Sequence, residues 1–434
     1  MSSNFDTGAA CAERLDASDP LAAFREFFSI PQGTIYLDGN SLGLLSRQAE
    51  ESLKRVTKEW REQGIGGWLG AGSPWFTLAE TLGEKAAALV GADPDEVVCA
   101  GATTVNLHAL LASFYTPRGG RTRILADSLN FPSDIYALQG QLALRGLAPE
   151  EHLALVSPPA SPGDSGLLDE DSIIHSMTRE VAVALLPSVL YRSGQLLDMA
   201  TLTAEAHRRG ILIGFDCSHS AGVVPHQFDR WAVDFAFWCG YKYLNGGPGS
   251  TAFLYVNRRH FERRPLLAGW FGSDKQAQFK MRLDFEPAAG AGRWQISSPP
   301  ILSMAPLEGA LAVTREAGIT RIREKSLLLT DYLIFLADRL LPEAETGIRV
   351  ATPREHSRRG GHVALAGDER MWRVYQALKA RGVVADFRPP GILRLAPVPL
   401  YNSFGEVRDT LVLLREILDS REYEAFPDEK SAVT

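Results

Sequence analysis

The sequence predicts a doubly wound α/β sheet, and three apolar runs carry that expectation: residues 181–188 (VAVALLPS), 211–215 (ILIGF) and 234–239 (DFAFWC). Each is short enough for a buried strand, and parallel strands covered on both faces read as such continuous runs. Between the first two, residues 199–209 have helical composition and Gly210 stops them, as glycine does by accepting a left-handed backbone. Strand, helix, strand in this order is a parallel crossover unit, and the third run extends it.

The remaining elements follow along the chain. EVVCAGATTVNLHALLASFY places a strand at about 96–100, a glycine-containing turn and a helix starting near Thr103. RILADSLNFPSD adds a strand ending in a polar turn. Residues 302–341 read as largely helical and lead out of the large domain. RVATP, HVALAG, a helix near 369–381, VVADF and ILRLAP then form a second alternating set. The expected organisation is an N-terminal segment, 1–50, packing with the small domain, a large domain over 51–320 and a smaller α/β domain over 321–434. The closing stretch EYEAFPDEKSAVT reads as a frayed acidic tail. There is no internal repeat and no low-complexity linker.

Composition narrows the function classes. A chain of 434 residues, 45% hydrophobic and 22% charged, is long enough for two domains and has an ordinary globular balance. Its net charge of -7 leaves no electrostatic footprint for nucleic acid or an anionic membrane, so a small-molecule partner is expected. Cys11, Cys99, Cys217 and Cys239 are scattered without metal-ligand spacing, and the nine histidines show none either. No metal is expected. The N-terminal stretch lacks the basic start and apolar core of a signal peptide, and no apolar run approaches the ~20 residues that span a bilayer. A reduced, cytoplasmic protein fits these features.

The chemistry centres on Lys242, which emerges after the run DFAFWC and sits between two tyrosines, ahead of Gly246, Gly247, Pro248 and Gly249. A lysine that forms an imine must lose its proton near neutral pH and reach an aldehyde on a flexible stem. At the carboxyl end of a buried strand, where open parallel sheets bind ligands, Lys242 suits a Schiff base with pyridoxal phosphate. Read by itself, it is also consistent with a strand-end lysine pointing to solvent. Asp216 ends the preceding strand and could pair with the protonated pyridine nitrogen, keeping the ring an electron sink; its alternative is to cap a turn. His219 could hydrogen-bond Asp216 or lie against the cofactor. Thr103 and Thr104 open a helix whose free N–H groups suit a phosphate, a role compatible with N-capping by Thr103. In FPSD, Phe131 offers a ring face for stacking and Asp134 a second acid near the pyridine. Trp60, Trp68, Trp75 and Phe76 read as core or as site wall. There is no GxSxG elbow, Walker loop or HExxH helix.

Taken together, GATTVNLH, NFPSD, DCSHSAG, YKYLNGGPGS, AGWFG and ISSPPIL resemble kynureninase, a fold-type I pyridoxal phosphate enzyme. The likeness runs from about residue 35 to about 420. It implies a large domain with a mainly parallel seven-stranded sheet, a smaller C-terminal α/β domain, and hydrolysis of L-kynurenine to anthranilate and L-alanine. By this resemblance Lys242 holds the cofactor and moves protons, Tyr241 contacts phosphate and acts as an acid, and Asp216, Asp134 and His219 serve the pyridine ring. Phe131, Pro132, Ser133 and Asp134 line the cofactor, and Thr103 and Thr104 bind phosphate. Trp270 and Ser298 reach across from the second subunit of a homodimer. Arg394 holds the substrate carboxylate, and Trp68 lies near the substrate. Ser298 stands where the family often has Asn or Thr, which bears on substrate-ring contacts. Pro187 stands where a hydroxyl residue is common. With Trp68 in place of the nearby histidine of animal enzymes, a preference for kynurenine over its 3-hydroxy form is expected. A cysteine desulfurase or selenocysteine lyase would need an exposed, mobile cysteine, and a regulator that binds the cofactor without turnover is the reading outside catalysis.

Overall fold

The computed structural model describes residues 5–158 and 166–429. Among these, seven strands form one sheet: β1 Val97–Cys99, β2 Arg123–Asp127, β3 Leu153–Val156, β4 Val181–Pro187, β5 Leu212–Asp216, β6 Phe235–Trp238 and β7 Phe253–Val256. Their spatial order is β1-β7-β6-β5-β4-β2-β3. β3, β2, β4, β5 and β6 run parallel, while β7 is antiparallel to both neighbours. The crossover order reverses between β2 and β4, so the crevice of the sheet opens at the carboxyl ends of these strands. Helices Thr103–Phe114, Pro132–Ala143 and Met199–Arg208 cover the sheet.

Close packing explains two glycines. A Cβ on Gly214 of β5 would fall into the Phe235 ring of β6, and one on Gly309 would fall onto the Gln48 carbonyl. The second contact lets helix Ile301–Ala317 lie directly on helix Arg47–Gln63.

A second core surrounds an antiparallel sheet of β8 Arg349–Val350, β9 Val363–Ala366, β10 Asp386–Arg388 and β11 Ile392–Leu395, in the order β10-β11-β9-β8. Leu333, Trp372, Phe387 and Leu411 fill it, and the N-terminal segment adds Cys11, Ala12 and Leu37. That segment is also tied by parallel pairing of Ile35–Tyr36 with Val383–Val384 and by a buried Lys325–Asp19 ion pair at 2.6 Å.

Three sequence expectations change. VVADF is two short strands, because Val383 and Val384 pair with the N-terminal segment while Asp386 joins β10. β3 and β7 were not anticipated; LALV and FLYV are apolar runs of only four residues, which periodicity does not distinguish from a short buried helix segment. The tail does not fray up to residue 429: Tyr423 is buried, Trp372 Nε1 donates to the Glu429 carbonyl at 3.0 Å, and Arg373 pairs with Asp428. Residues 430–434 lie outside the described part. No helix among the described residues is long and apolar enough to cross a membrane.

Candidate active site

Two helix starts and two strand ends converge on one cavity of about 420 Å³. Asp216 is the last residue of β5, and Lys242 follows β6 by a short turn. Lys242 Nζ lies 2.9 Å from His219 Nε2. Burial first, then the positive charges of Lys242 and Arg394, hold His219 well below its ordinary pKa. The imidazole is therefore neutral, and its Nε2 meets the lysine. The Asp216 Oδ1 accepts from the Ser218 N–H at 2.8 Å. Asp134 faces Asp216; burial and then that second carboxylate raise its pKa well above the usual range, so it keeps its proton.

The floor suits an anion. Helices Thr103–Phe114 and Pro132–Ala143 begin here, neither with a side-chain cap, and Thr104 Oγ1 meets Ser133 Oγ at 2.6 Å between them. Free N–H groups at both starts add to those hydroxyls. Gly101, at φ 53°, makes the turn that brings the first helix in. Pro132 does not line the cavity; it occupies the first helical position, where its missing N–H leaves nothing unmade. Phe131 lies at the rim, edge-on to Tyr191 at 5.4 Å. Burial pushes the Tyr241 hydroxyl above its ordinary range, so it remains a donor.

The opposite wall comes from the second core and the N-terminal segment. Arg394 is 1% exposed. It donates from Nε to Asp386 at 2.6 Å, from Nη1 to the Tyr191 carbonyl at 2.6 Å and from Nη2 to Ser41 Oγ at 3.2 Å. Arg388 grips the same carboxylate through two bonds of 2.9 Å. Two guanidinium groups share Asp386, the buried Asp38 carboxyl nearby offsets part of their charge, and Arg394 keeps one free N–H on each Nη that a carboxylate could accept from. Asn40, Ser41, Tyr191, Ser218 and Arg388 all line this cavity, and sequence reading did not single them out.

Three expected residues stand apart. Trp270 is 41% exposed, Ser298 is exposed, and neither reaches the Lys242 cavity within the chain. Trp68 packs edge-on against Trp75 at 6.1 Å and lines a separate apolar groove with Trp60 and Ile301. Pro187 pairs in register with Asp216. The hydroxyl one residue later, on Ser188, is engaged with Ser220 at 2.6 Å behind the strand.

The donor set fits pyridoxal phosphate: an amine, a strand-end carboxylate for a ring nitrogen and a double helix start for a phosphate share one cavity, and the buried His219 Nδ1 has no partner among the described residues.

Comparison with known proteins decides the family. The chain is 54% identical to the kynureninase of Shouchella clausii, covering 97% of both chains. The chain belongs to the kynureninase family. The kynureninase of Geobacillus thermodenitrificans is 50% identical, again over 97% of each chain, and residues 322–414 match the kynureninase C-terminal domain model. Among solved structures, a C-DES mutant with glycine linked to its PLP cofactor superposes with a TM-score of 0.78 at 19% identity, covering 90% of this chain and 99% of that one. A cysteine desulfurase from Thermococcus onnurineus gives 0.73 at 19%, covering 94% and 98%. These show the shared fold-type I architecture, and the kynureninase family is built on it.

Proposed function

We propose that this cavity carries pyridoxal phosphate-dependent hydrolysis of L-kynurenine to anthranilate and L-alanine, the reaction of the kynureninase family. The observation that carries the reading is the meeting of Lys242, Asp216, two uncapped helix starts and Arg394 in one cavity. Bound there, pyridoxal phosphate supplies an aldehyde and a protonated ring that draws electrons from the substrate skeleton.

The residues divide the work. Thr103, Thr104, Ser133 and the helix starts hold the phosphate, with Tyr241 on its flank. Asp216 holds a proton at the ring nitrogen, and neutral Asp134 beside it keeps that carboxylate charge localised. Phe131 covers one ring face. Lys242, steadied by neutral His219, carries the proton removed from the substrate Cα. Arg394 takes the substrate carboxylate and orients the side chain for attack of water on the γ-carbonyl. Tyr241, held protonated by burial, donates to the carbon released when the Cβ–Cγ bond breaks.

The exposure of Trp270 and Ser298 supports a homodimer in which both reach the partner's cavity, where Trp270 adds to the phosphate contacts and Ser298 touches the substrate ring. The same homodimer would set Trp68, whose groove is separate from the Lys242 cavity of its own chain, against the partner's cavity, where an aromatic wall offers the extra hydroxyl of 3-hydroxykynurenine no acceptor and favours kynurenine. Better turnover of the hydroxylated substrate overturns that preference. The two cores support a division near residue 320, with residues 1–50 packed on the small domain. A cytoplasmic setting agrees with four buried cysteines. Burial raises the thiols of Cys99, Cys217 and Cys239, which disfavours desulfurase chemistry. The test is to add L-kynurenine to purified holoprotein and follow anthranilate fluorescence; sulfide release from cysteine without anthranilate would reverse the assignment.

A further inference from the structure

Asn40 sits in a turn that Ser41 and Leu42 close by donating to the Asp38 carbonyl at 3.0 and 3.1 Å. Its side chain is fully buried, and neither amide atom has a hydrogen-bond partner among the described residues. A buried amide left without partners costs about 1–3 kcal/mol per unmade group. The turn cannot relax to relieve this, because a Cβ on adjacent Gly39 would fall onto Val398 and Tyr401, so the backbone is packed against both. Asn40 lines the Lys242 cavity, next to Ser41, whose hydroxyl accepts from Arg394.

We propose that Asn40 donates from Nδ2 to one carboxylate oxygen of the amino-acid substrate, sharing with Arg394 the recognition of that group. The inference rests on the reading that the cavity takes an amino-acid substrate. Physical need for a second donor is visible in Arg394 itself: Asp386 takes its Nε–H and offsets part of its charge, while Tyr191 and Ser41 take one N–H from each Nη. What remains is a fork with two outward N–H groups. A carboxylate has about four acceptor positions, so a neutral amide beside the fork completes the set without adding a charge that must be balanced. A primary amide in place of the carboxylate would meet the Asn40 donors with its own NH₂, and binding would weaken.

The test compares L-kynurenine with its α-carboxamide on holoenzyme, and L-alanine with L-alaninamide by the absorbance change that binding produces. Asn40→Ala is expected to raise KM for L-kynurenine about ten-fold or more, with kcat within about two-fold. The preference for acid over amide should shrink by the same factor in both ligand pairs. Asn40→Asp, equal in shape but anionic, should raise KM further. Asn40→Ser, which suits the turn, carries the comparison if the alanine variant does not fold. An unchanged acid-to-amide ratio in the variants, even with lower kcat or Tm, overturns the proposal and leaves Asn40 a structural residue. The two readings fail separately: wild-type protein that releases no anthranilate fails the reaction, while the alanine pair still decides Asn40.

Discussion

Lys242 and His219 form the pair on which the site turns, and His219 owes its neutral state to burial and to the cations around it. Lys242→Ala is expected to lower kcat for anthranilate release about 10³-fold or more, with folding unchanged by circular dichroism. Arg394→Lys keeps the charge but loses the fork, so KM should rise about ten-fold or more in steady-state kinetics. Asp127, at the end of β2, gives a pH signature of its own. Burial raises its pKa to about 7 from an ordinary 3.8. The folded carboxyl thus holds its proton after the unfolded chain has released its own, so its contribution is full below pH about 4 and is lost as pH rises through about 7. Asp127→Asn should therefore raise Tm at pH 8.5 and leave it nearly unchanged at pH 4, read by thermal melts at both values. How legible these residues were depends on where they sit. Lys242 and Asp216 announce themselves because strand ends in a parallel sheet are ligand positions, and Thr103 because a helix start needs donors and acceptors settled. Asn40, Tyr191 and Arg388 carry no such local mark. Each becomes a wall of the cavity only when segments far apart in sequence are brought together, and no periodicity records that.

At the scale of elements, the apolar runs at β4, β5 and β6 were readable because a strand buried on both faces has nothing but apolar residues to show. β3, LALV, is just as apolar but only four residues long, too short a run to be marked as a strand. VVADF read as one strand because it is a continuous five-residue stretch, while its two halves pair with different partners, Ile35–Tyr36 and β11. The helix pair Arg47–Gln63 and Ile301–Ala317 was beyond sequence reading in another sense, since the contact depends on one missing Cβ. Gly309→Ala should force these helices apart and cost about 1–3 kcal/mol, visible as a lower urea midpoint at constant slope. The same change on an open glycine such as Gly247 would meet no neighbouring atom but would strain a backbone at φ 84°. Its cost has a different origin and should leave the helix pair intact.

For the whole molecule, the homodimer proposed above makes a prediction that no single chain can satisfy. Lys242→Ala and Trp270→Ala variants, each weakly active, should recover activity when unfolded and refolded together, towards about a quarter of wild type, because half of randomly mixed pairs carry one intact site. Refolding each variant by itself should restore nothing, and anthranilate fluorescence reads both outcomes. A molecule whose sites are complete in one chain would show no recovery.

The tie between residues 35–36 and 383–384 bears on how the protein emerges from the ribosome. The seven strands of the large sheet are complete by Val256, and their mostly local crossovers let that sheet assemble while synthesis continues. Asn40 and Ser41 are made long before Arg394, yet the wall they form with it exists only after the last strands close on the N-terminal segment. A ribosome-bound chain released early would therefore carry Lys242 on a finished sheet with no place for a substrate carboxylate. On the proposal that Arg394 takes the substrate carboxylate, competence for substrate arrives last, as an assembly event late in translation.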